Sequence, residues 1–474
     1  MWIPGDVLRS LNSSLVGDGR ADSRMSENLT ETFIDDLYGL TKRSLHEAVN
    51  AQARMCVLDY LGVTFAGAKM LEEKGGKLLD QFGSLPGDAT VIGFNRKSSI
   101  HNAVLLNGMS SHVAELDDGD RFGMIHPGTP IISALLPLAE KENIQGKDLL
   151  LGLVVGYEAA IRIATALQPS MKERGYHATG VCGAIGAAIG VSAALGFSKV
   201  QMRDALSSAG TAASGILKVI HAGSELKPFN AGQAALSGLI AAFVARAGFA
   251  GHNDVLSGDI GFLSIMAEEP DISHLHSPGE ETLRIEKIYR KPYAACRYCH
   301  PCIEAAINIR KSNNLIVEQI KSIKVLTHRW AVAGHDHSEV DGVNSAKMSI
   351  PYSVAVALWS GRAGLQEFML DQLNHPDILR LMKLVEVVSD EGLTALVPEK
   401  RPAIVEVRTY NNECYRERID LPRGEPETAL SEEEVKKKFI SLALFGGKTE
   451  REAHEIIKIV ENLDSKINQL YSFL

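Results

Sequence analysis

The chain has 474 residues, beyond the size at which one hydrophobic core keeps growing, so two structural units are expected. Its composition, 45% hydrophobic and 23% charged, is that of a folded globular protein and excludes a disordered or fibrous chain. A net charge of −9 repels nucleic acid and acidic membrane surfaces, so neither is an expected partner, and a site for an anion must gather its own cations.

Residues 1–28 are polar and irregular, with no basic start and no apolar block, and read as a flexible leader rather than a secretory signal. A cytoplasmic protein is therefore expected, with Cys56, Cys182, Cys296, Cys299, Cys302 and Cys414 as reduced thiols. Over residues 29–285 the pattern is helical. Glu47 to Phe65 and Lys147 to Leu167 carry apolar residues at three- and four-residue spacing. Gly196 reads as a helix stop, with Ser198 as the cap of the next helix. Thr179 to Phe197 and Ala231 to Gly251 are long enough to cross a membrane, but Ala and Gly dominate both, and Gln233 and Arg246 interrupt the second. They are expected as buried helices of a soluble bundle whose small residues let backbones approach closely.

The texture changes near residue 286. Gln319 to Thr327, Ala403 to Tyr410 and Cys414 to Leu421 read as strands, and Asn411–Asn412 between the last two reads as a hairpin turn. Helical patterns lie between them, at Cys302 to Lys311 and Tyr352 to Leu358. Residues 286–425 thus form a smaller α+β unit. Ser431, followed by three acids, opens a return to helix over 426–474. The expected fold is mainly α: a large all-helical domain, built from the N- and C-terminal parts, with a smaller α+β lid domain inserted.

Five segments carry candidate chemistry. Glu115–Leu116–Asp117–Asp118–Gly119, followed by His126–Pro127–Gly128, can place a proton donor beside an acceptor, although a polar loop with capping acids has the same composition. His177, in Gly175–Tyr176–His177–Ala178–Thr179–Gly180, precedes an apolar helix, where the dipole favours anions and lowers a histidine's pKa. Lys227 also stands at a helix start, where a cation opposes the dipole, which points to an anionic partner; a solvated surface lysine is the plainer reading. Arg290–Lys291–Pro292–Tyr293–Ala294–Ala295–Cys296–Arg297–Tyr298–Cys299–His300 contains the Cys-x-x-Cys-His pattern of haem attachment. No export signal accompanies it, and a structural zinc site needs two separated ligand pairs, so a helix start with buried thiols is favoured. Tyr352, after Ser349–Ile350–Pro351, stands at a helix start where its hydroxyl can face a cleft, though such a tyrosine alone is more often packing. No Gly-x-Gly-x-x-Gly, Walker lysine loop or Gly-x-Ser-x-Gly elbow is present, so nucleotide cofactors and serine-hydrolase chemistry are not supported.

In this order the five segments resemble the MmgE/PrpD family, from about Ser26 to the C-terminal helices. The resemblance implies the helical-domain-plus-lid fold, a homodimer, no organic cofactor, and a site between the two domains; ligand spacing gives no metal site. It implies a cytoplasmic lyase acting on a small citrate-like polycarboxylic acid, by dehydration or decarboxylation, through proton abstraction next to a carboxylate. The family's pocket positions fall on Glu115, Asp117, His126, His177, Lys227, Lys291 and Tyr352. Lys227 and Lys291, with Glu115 and Asp117, would bind substrate; His126 and His177 would carry protons and Tyr352 would donate one. The loop Arg121–Phe122–Gly123–Met124–Ile125–His126–Pro127 departs from the Trp-Gly-His-Pro stretch typical of the dehydratases. Two alternatives stand: an epimerase of an iminodisuccinate-like amino-dicarboxylate, and a Cys/His metal- or haem-binding redox protein centred on Cys296, Cys299 and His300.

Overall fold

The computed structural model describes residues 28–83, 87–220, 224–276 and 282–474. The leader expected over 1–28 lies outside them except for Asn28, whose side chain accepts from the Glu31 amide and caps the first helix. The principal helices are α1 (Leu29–Leu40), α2 (Glu47–Met70), α3 (Ile100–Val113), α4 (Gly128–Glu142), α5 (Gly146–Leu167), α6 (Ala178–Ala194), α7 (Lys199–Ala212), α8 (Lys227–Arg246), α9 (His300–Asn313), α10 (Ile350–Ser360), α11 (Glu432–Phe445), α12 (Glu450–Glu461) and α13 (Leu463–Leu470).

The Ala/Gly-rich helices lie at the centre of the first part. α6 packs against α5, α8, α4 and α7, and every one of its residues is buried. The small residues permit this: a Cβ at Gly152 of α5 would stand 2.6 Å from the Gly190 carbonyl oxygen of α6, and nothing larger fits. α5 and α8 are long and apolar enough, by length and composition, to cross a membrane; in their most apolar windows 94% and 61% of residues are buried inside the protein. Sequence signals set the ends. Gly196 sits at φ +65° after α6, Ser198 and Gln201 form a capping box on α7, and Ser431 and Glu434 form another on α11.

Two cores divide the molecule. One runs from Phe33 to Ile288 and resumes from Val435 to Leu474, so helices from both ends of the chain share it, with α11 packed on α2 and α13 on α5. The other is built almost wholly by residues 294–407, with Val63, Ala66, Ala114, Leu116 and Leu442 reaching into it from the helical side. It holds a four-stranded sheet of β3 (Ile320–Thr327), β4 (Val385–Ser389), β5 (Ala403–Thr409) and β6 (Cys414–Ile419), in spatial order β4-β3-β5-β6. β5 and β6 form the expected antiparallel hairpin, with Asn412 at φ +63° in its turn. β4 is an addition to the sequence reading. It pairs parallel with β3, and a parallel neighbour has no local turn to announce it. A short antiparallel pair, β1 (Ala89–Val91) with β2 (Arg96–Ser98), also interrupts the stretch expected to be wholly helical.

Candidate active site

α3 ends at Val113, and Glu115 takes a left-handed conformation (φ +55°), which turns the chain back beside its own helix. The turn folds Asp117 onto His112 in the last turn of α3, with Nδ1 2.6 Å from Asp117 Oδ2. Thr129 Oγ1 at the start of α4 donates to the same oxygen (3.2 Å). His126 Nδ1 lies 2.6 Å from the Asp118 carbonyl oxygen and 3.4 Å from Asp117 Oδ2. His177, the N-cap of α6, closes the group: its ring lies 6.0 Å from that of His112, which is 5.2 Å from that of His126. Asn230 Nδ2 of α8 is 3.3 Å from His177 Nδ1.

Asp118 faces away from this group. It accepts from Tyr157 Oη (2.5 Å) and from the Gly128 amide (3.1 Å), and so ties the acidic loop to α4 and α5. Position 128 must be glycine, because a Cβ there would stand 2.5 Å from the Tyr157 hydroxyl and 2.7 Å from Asp118 Oδ1.

The lysines arrive from two distant parts of the chain. Lys227, the first residue of α8, donates to Glu115 Oε1. Lys291, where the chain passes from the helical part to the sheet-bearing part, lies 3.2 Å from Glu115 Oε2 and 3.3 Å from Asp117 Oδ1. Its neighbour Arg290 turns the other way, towards Gln52 O and Cys56 Sγ. The two lysines are unequally placed: the Lys227 side chain is 11% exposed and that of Lys291 is 0%. Lys227 can therefore meet a ligand directly, whereas Lys291 supports the carboxylates from beneath.

Burial alone would push both carboxyls up, but the cations outweigh it. Lys227, Lys291 and His112 hold Glu115 well below the usual carboxylate range, and His126, His112 and Lys291 do the same for Asp117. Burial opposes the charge of Lys291 as well, yet Asp117 and Glu115 raise its pKa. Burial, with Lys291, His112 and Lys227 nearby, brings His126 down to about 3 despite Asp117. Burial and the same kind of cationic surroundings also lower His177 strongly. Ionised Asp117 can only accept from His112, so Nδ1 carries the proton, and the buried Nε2 has no hydrogen-bond partner among the described residues. Lys347 is a further buried cation. It donates to Val113 O (3.1 Å), and burial, opposed by Glu115 and reinforced by Lys291 and Lys227, brings it down to about 7.

Glu115 and Lys227 line a cavity of about 500 Å³ between the two parts of the molecule. Val113, Pro228 and Ile220 line it on the helical side, and residues between Gly334 and Met348 on the other. The rim on that second side carries Asp336, His337, Glu339 and Asp341.

Six of the seven site residues named from the sequence thus come together: Glu115, Asp117, His126, His177, Lys227 and Lys291. Tyr352 does not join them. It is fully buried in the second core against Phe368, and its hydroxyl donates to the Glu367 carbonyl oxygen (2.9 Å), away from the cavity. As the third residue of α10 it points into the helix packing, as a tyrosine among Ile350, Val354 and Leu358 does. His112 and Lys347 were missed. The available signal for His112 was its place one helix end and five residues before Asp117.

The Cys-x-x-Cys-His segment forms the start of α9, as expected. Both ring nitrogens of His300 are engaged, Nδ1 with Arg297 Nη1 (2.9 Å) and Nε2 with Ala295 O (3.1 Å), so it is not free to bind a metal. Among the described residues no three His, Cys, Asp or Glu side chains are grouped as metal ligands.

Residues 33–275 match the MmgE/PrpD N-terminal domain and residues 293–465 the MmgE/PrpD C-terminal domain. Similar curated proteins include cis-aconitate decarboxylase of Homo sapiens, 25% identical over 467 residues, which covers 93% of this chain and 92% of that one. Cis-aconitate decarboxylase of Aspergillus terreus is 26% identical over 474 residues (94% and 95%). The cis-aconitate decarboxylase-like protein oryM of Aspergillus oryzae is 25% identical over 446 residues (89% and 92%).

Proposed function

The chain belongs to the MmgE/PrpD family and is an enzyme of that type, and on this footing we propose that it is a lyase that removes carbon dioxide from a cis-aconitate-like unsaturated tricarboxylic acid. The observation that carries the reading is the cavity floor, where Lys227 stands over the Glu115–Lys291–Asp117 network with three histidines behind it. The absence of the dehydratases' Trp-Gly-His-Pro stretch at Arg121–Pro127 favours decarboxylation over dehydration.

In such a reaction the carbon–carbon bond to the departing carboxylate breaks, and its electron pair forms a new double bond. The pair of the old double bond moves to the carbon beside another carboxylate, where a proton must arrive. Negative charge builds on that second carboxylate, and an ammonium group fixed beside it stabilises the transition state more than the ground state. Lys227 has the exposure for this task, and Lys291 keeps Glu115 and Asp117 charged beneath it. His112, with Nδ1 fixed by Asp117 and its buried Nε2 unpartnered among the described residues, is our candidate proton carrier, with His126 and His177 beside it. Movement of the sheet-bearing part, which supplies the Gly334–Met348 wall, would close the cavity and exclude water.

A second reading has one observation in its favour. Asp336, Glu339 and Asp341 on the rim would attract a substrate bearing an ammonium or iminium group, as an epimerase of an amino-dicarboxylate requires. Release of carbon dioxide from cis-aconitate tests the first reading. The expected result is turnover by the native protein and loss of about a hundredfold or more in kcat/KM for Lys227→Met. Turnover untouched by that substitution would remove this site from the reaction.

A further inference from the structure

Cys296 and Cys299 lie behind the sheet-side wall of the cavity and have no part in the chemistry above. Cys296 caps a single 3-10 turn, Arg297–Cys299, and the Cys299 amide donates to the Cys296 carbonyl (2.8 Å). A turn closed in this way holds its first and fourth Cα atoms within about 7 Å, and a disulfide spans Cα separations of about 4.4–6.8 Å. The two thiols differ in environment. Cys296 is half-buried and Cys299 fully buried. His335 O accepts from the Ile350 amide (2.7 Å), its Nδ1 lies 3.0 Å from Ala333 O, and its buried Nε2 has no hydrogen-bond partner among the described residues. The Cys296 amide donates to Lys347 O (2.8 Å), between Ser345 and Met348 of the cavity wall, and Gly334 and Asp336 on either side of His335 belong to the same wall.

We propose that Cys296 and Cys299 are a redox-active dithiol, with Cys296 as the attacking thiol, Cys299 as the resolving thiol and His335 as the base that activates the first. The electrostatics agree with that division. Burial would raise the Cys296 thiol, but the nearby charges of His335 and Lys227 bring it down to about 6. Burial and the neighbouring Cys296 and Cys302 hold Cys299 well above its ordinary value. The reaction needs a small disulfide as oxidant. The Cys296 thiolate attacks one of its sulfurs, forms a mixed disulfide and releases one thiolate. Cys299 loses its proton and displaces the second. Two protein thiols and one small disulfide become one protein disulfide and two small thiols, so two electrons pass to the small disulfide. A Cys-x-x-Cys whose first thiol stands at a helix start is placed for such exchange, and here it adjoins the cavity wall.

The test uses the full chain with oxidised glutathione, followed by alkylation of free thiols and peptide mapping. Exposed Cys414 serves as the internal control for non-specific modification. The expected map shows a Cys296–Cys299 bond, reversed by dithiothreitol, and no glutathione retained on either residue. Cys299→Ser should instead hold one glutathione on Cys296, and His335→Gln should slow its attachment at pH 7 by about tenfold, with no such effect on Cys414. Cys296 and Cys299 both remaining alkylatable after Cys414 is fully modified would overturn the proposal. So would a bond that pairs Cys299 with Cys302. The wild-type map decides between these outcomes even where a variant fails to fold, and it requires no substrate.

Discussion

His112 Nδ1 lies 2.6 Å from Asp117 Oδ2, and both groups are buried. The contact exists because Glu115 reverses the chain between them. The pair sets the orientation of one imidazole, whose other nitrogen has no hydrogen-bond partner among the described residues. His112→Ala should therefore lower kcat by about 10²–10⁴-fold, with a smaller effect on KM. Asp117→Asn should lower kcat as well, because an amide can present a donor to Nδ1 and reverse the tautomer. Steady-state kinetics on the proposed substrate check both; a change confined to KM would make His112 a binding residue only.

The unequal burial of the two lysines predicts unequal consequences. Lys291→Met leaves Glu115 and Asp117 with less compensation in a buried setting, so it should destabilise the fold by about 3–5 kcal/mol. Lys227→Met touches only Glu115 at the edge of the cavity, so it should act mainly on kcat/KM and less on stability. Thermal and urea denaturation of both variants, beside their kinetics, separate the two roles. Equal losses of stability would contradict the distinction.

Tyr352→Phe removes the hydroxyl that donates to Glu367 O and nothing that faces the cavity. A stability loss of about 0.5–1.5 kcal/mol is expected, with kcat/KM unchanged. A large loss of rate in a well-folded variant would show that Tyr352 reaches the substrate in another conformation.

The histidines make stability depend on pH in a defined direction. His126 is brought down to about 3 when folded, against an ordinary value of 6.5, so the unfolded chain binds the extra proton between those two values. Its contribution is fully present above pH 6.5 and is lost as the pH falls towards 3. Asp118 acts oppositely: burial pushes it up to about 7 against the Tyr157 hydrogen bond, so the folded state holds its proton. Urea midpoints for the native protein and His126→Gln should therefore diverge with pH, the native protein losing ground to the variant from pH 6.5 downwards. Parallel curves would contradict a neutral His126 in the folded protein.

Much of this was legible from the sequence where the signal is local. The three- and four-residue spacing marks α5, Ser198 and Ser431 cap their helices, and Asn411–Asn412 marks the β5–β6 hairpin. The site residues on helix starts, His177 and Lys227, and those in the acidic loop were legible because punctuation by Gly and Pro sets them apart. What escaped depends on distant or subtle geometry. β4 finds its partner β3 some sixty residues back, and its half-buried faces leave little alternation. His112 lies inside a buried helix, and only the positive φ of Glu115 makes it a partner of Asp117. Tyr352 shows the converse: a residue assigned by resemblance whose hydroxyl is committed to the interior.

The most direct measurement is proton NMR of the purified protein in heavy water with cis-aconitate, with 2-methylcitrate, citrate and iminodisuccinate in parallel tubes. The proposed reaction predicts loss of carbon dioxide from cis-aconitate, with one deuteron on the carbon that receives the proton, and the loss should disappear in Lys227→Met. Deuterium entering iminodisuccinate without breakdown, while cis-aconitate remains intact, would contradict the decarboxylase reading and favour the epimerase.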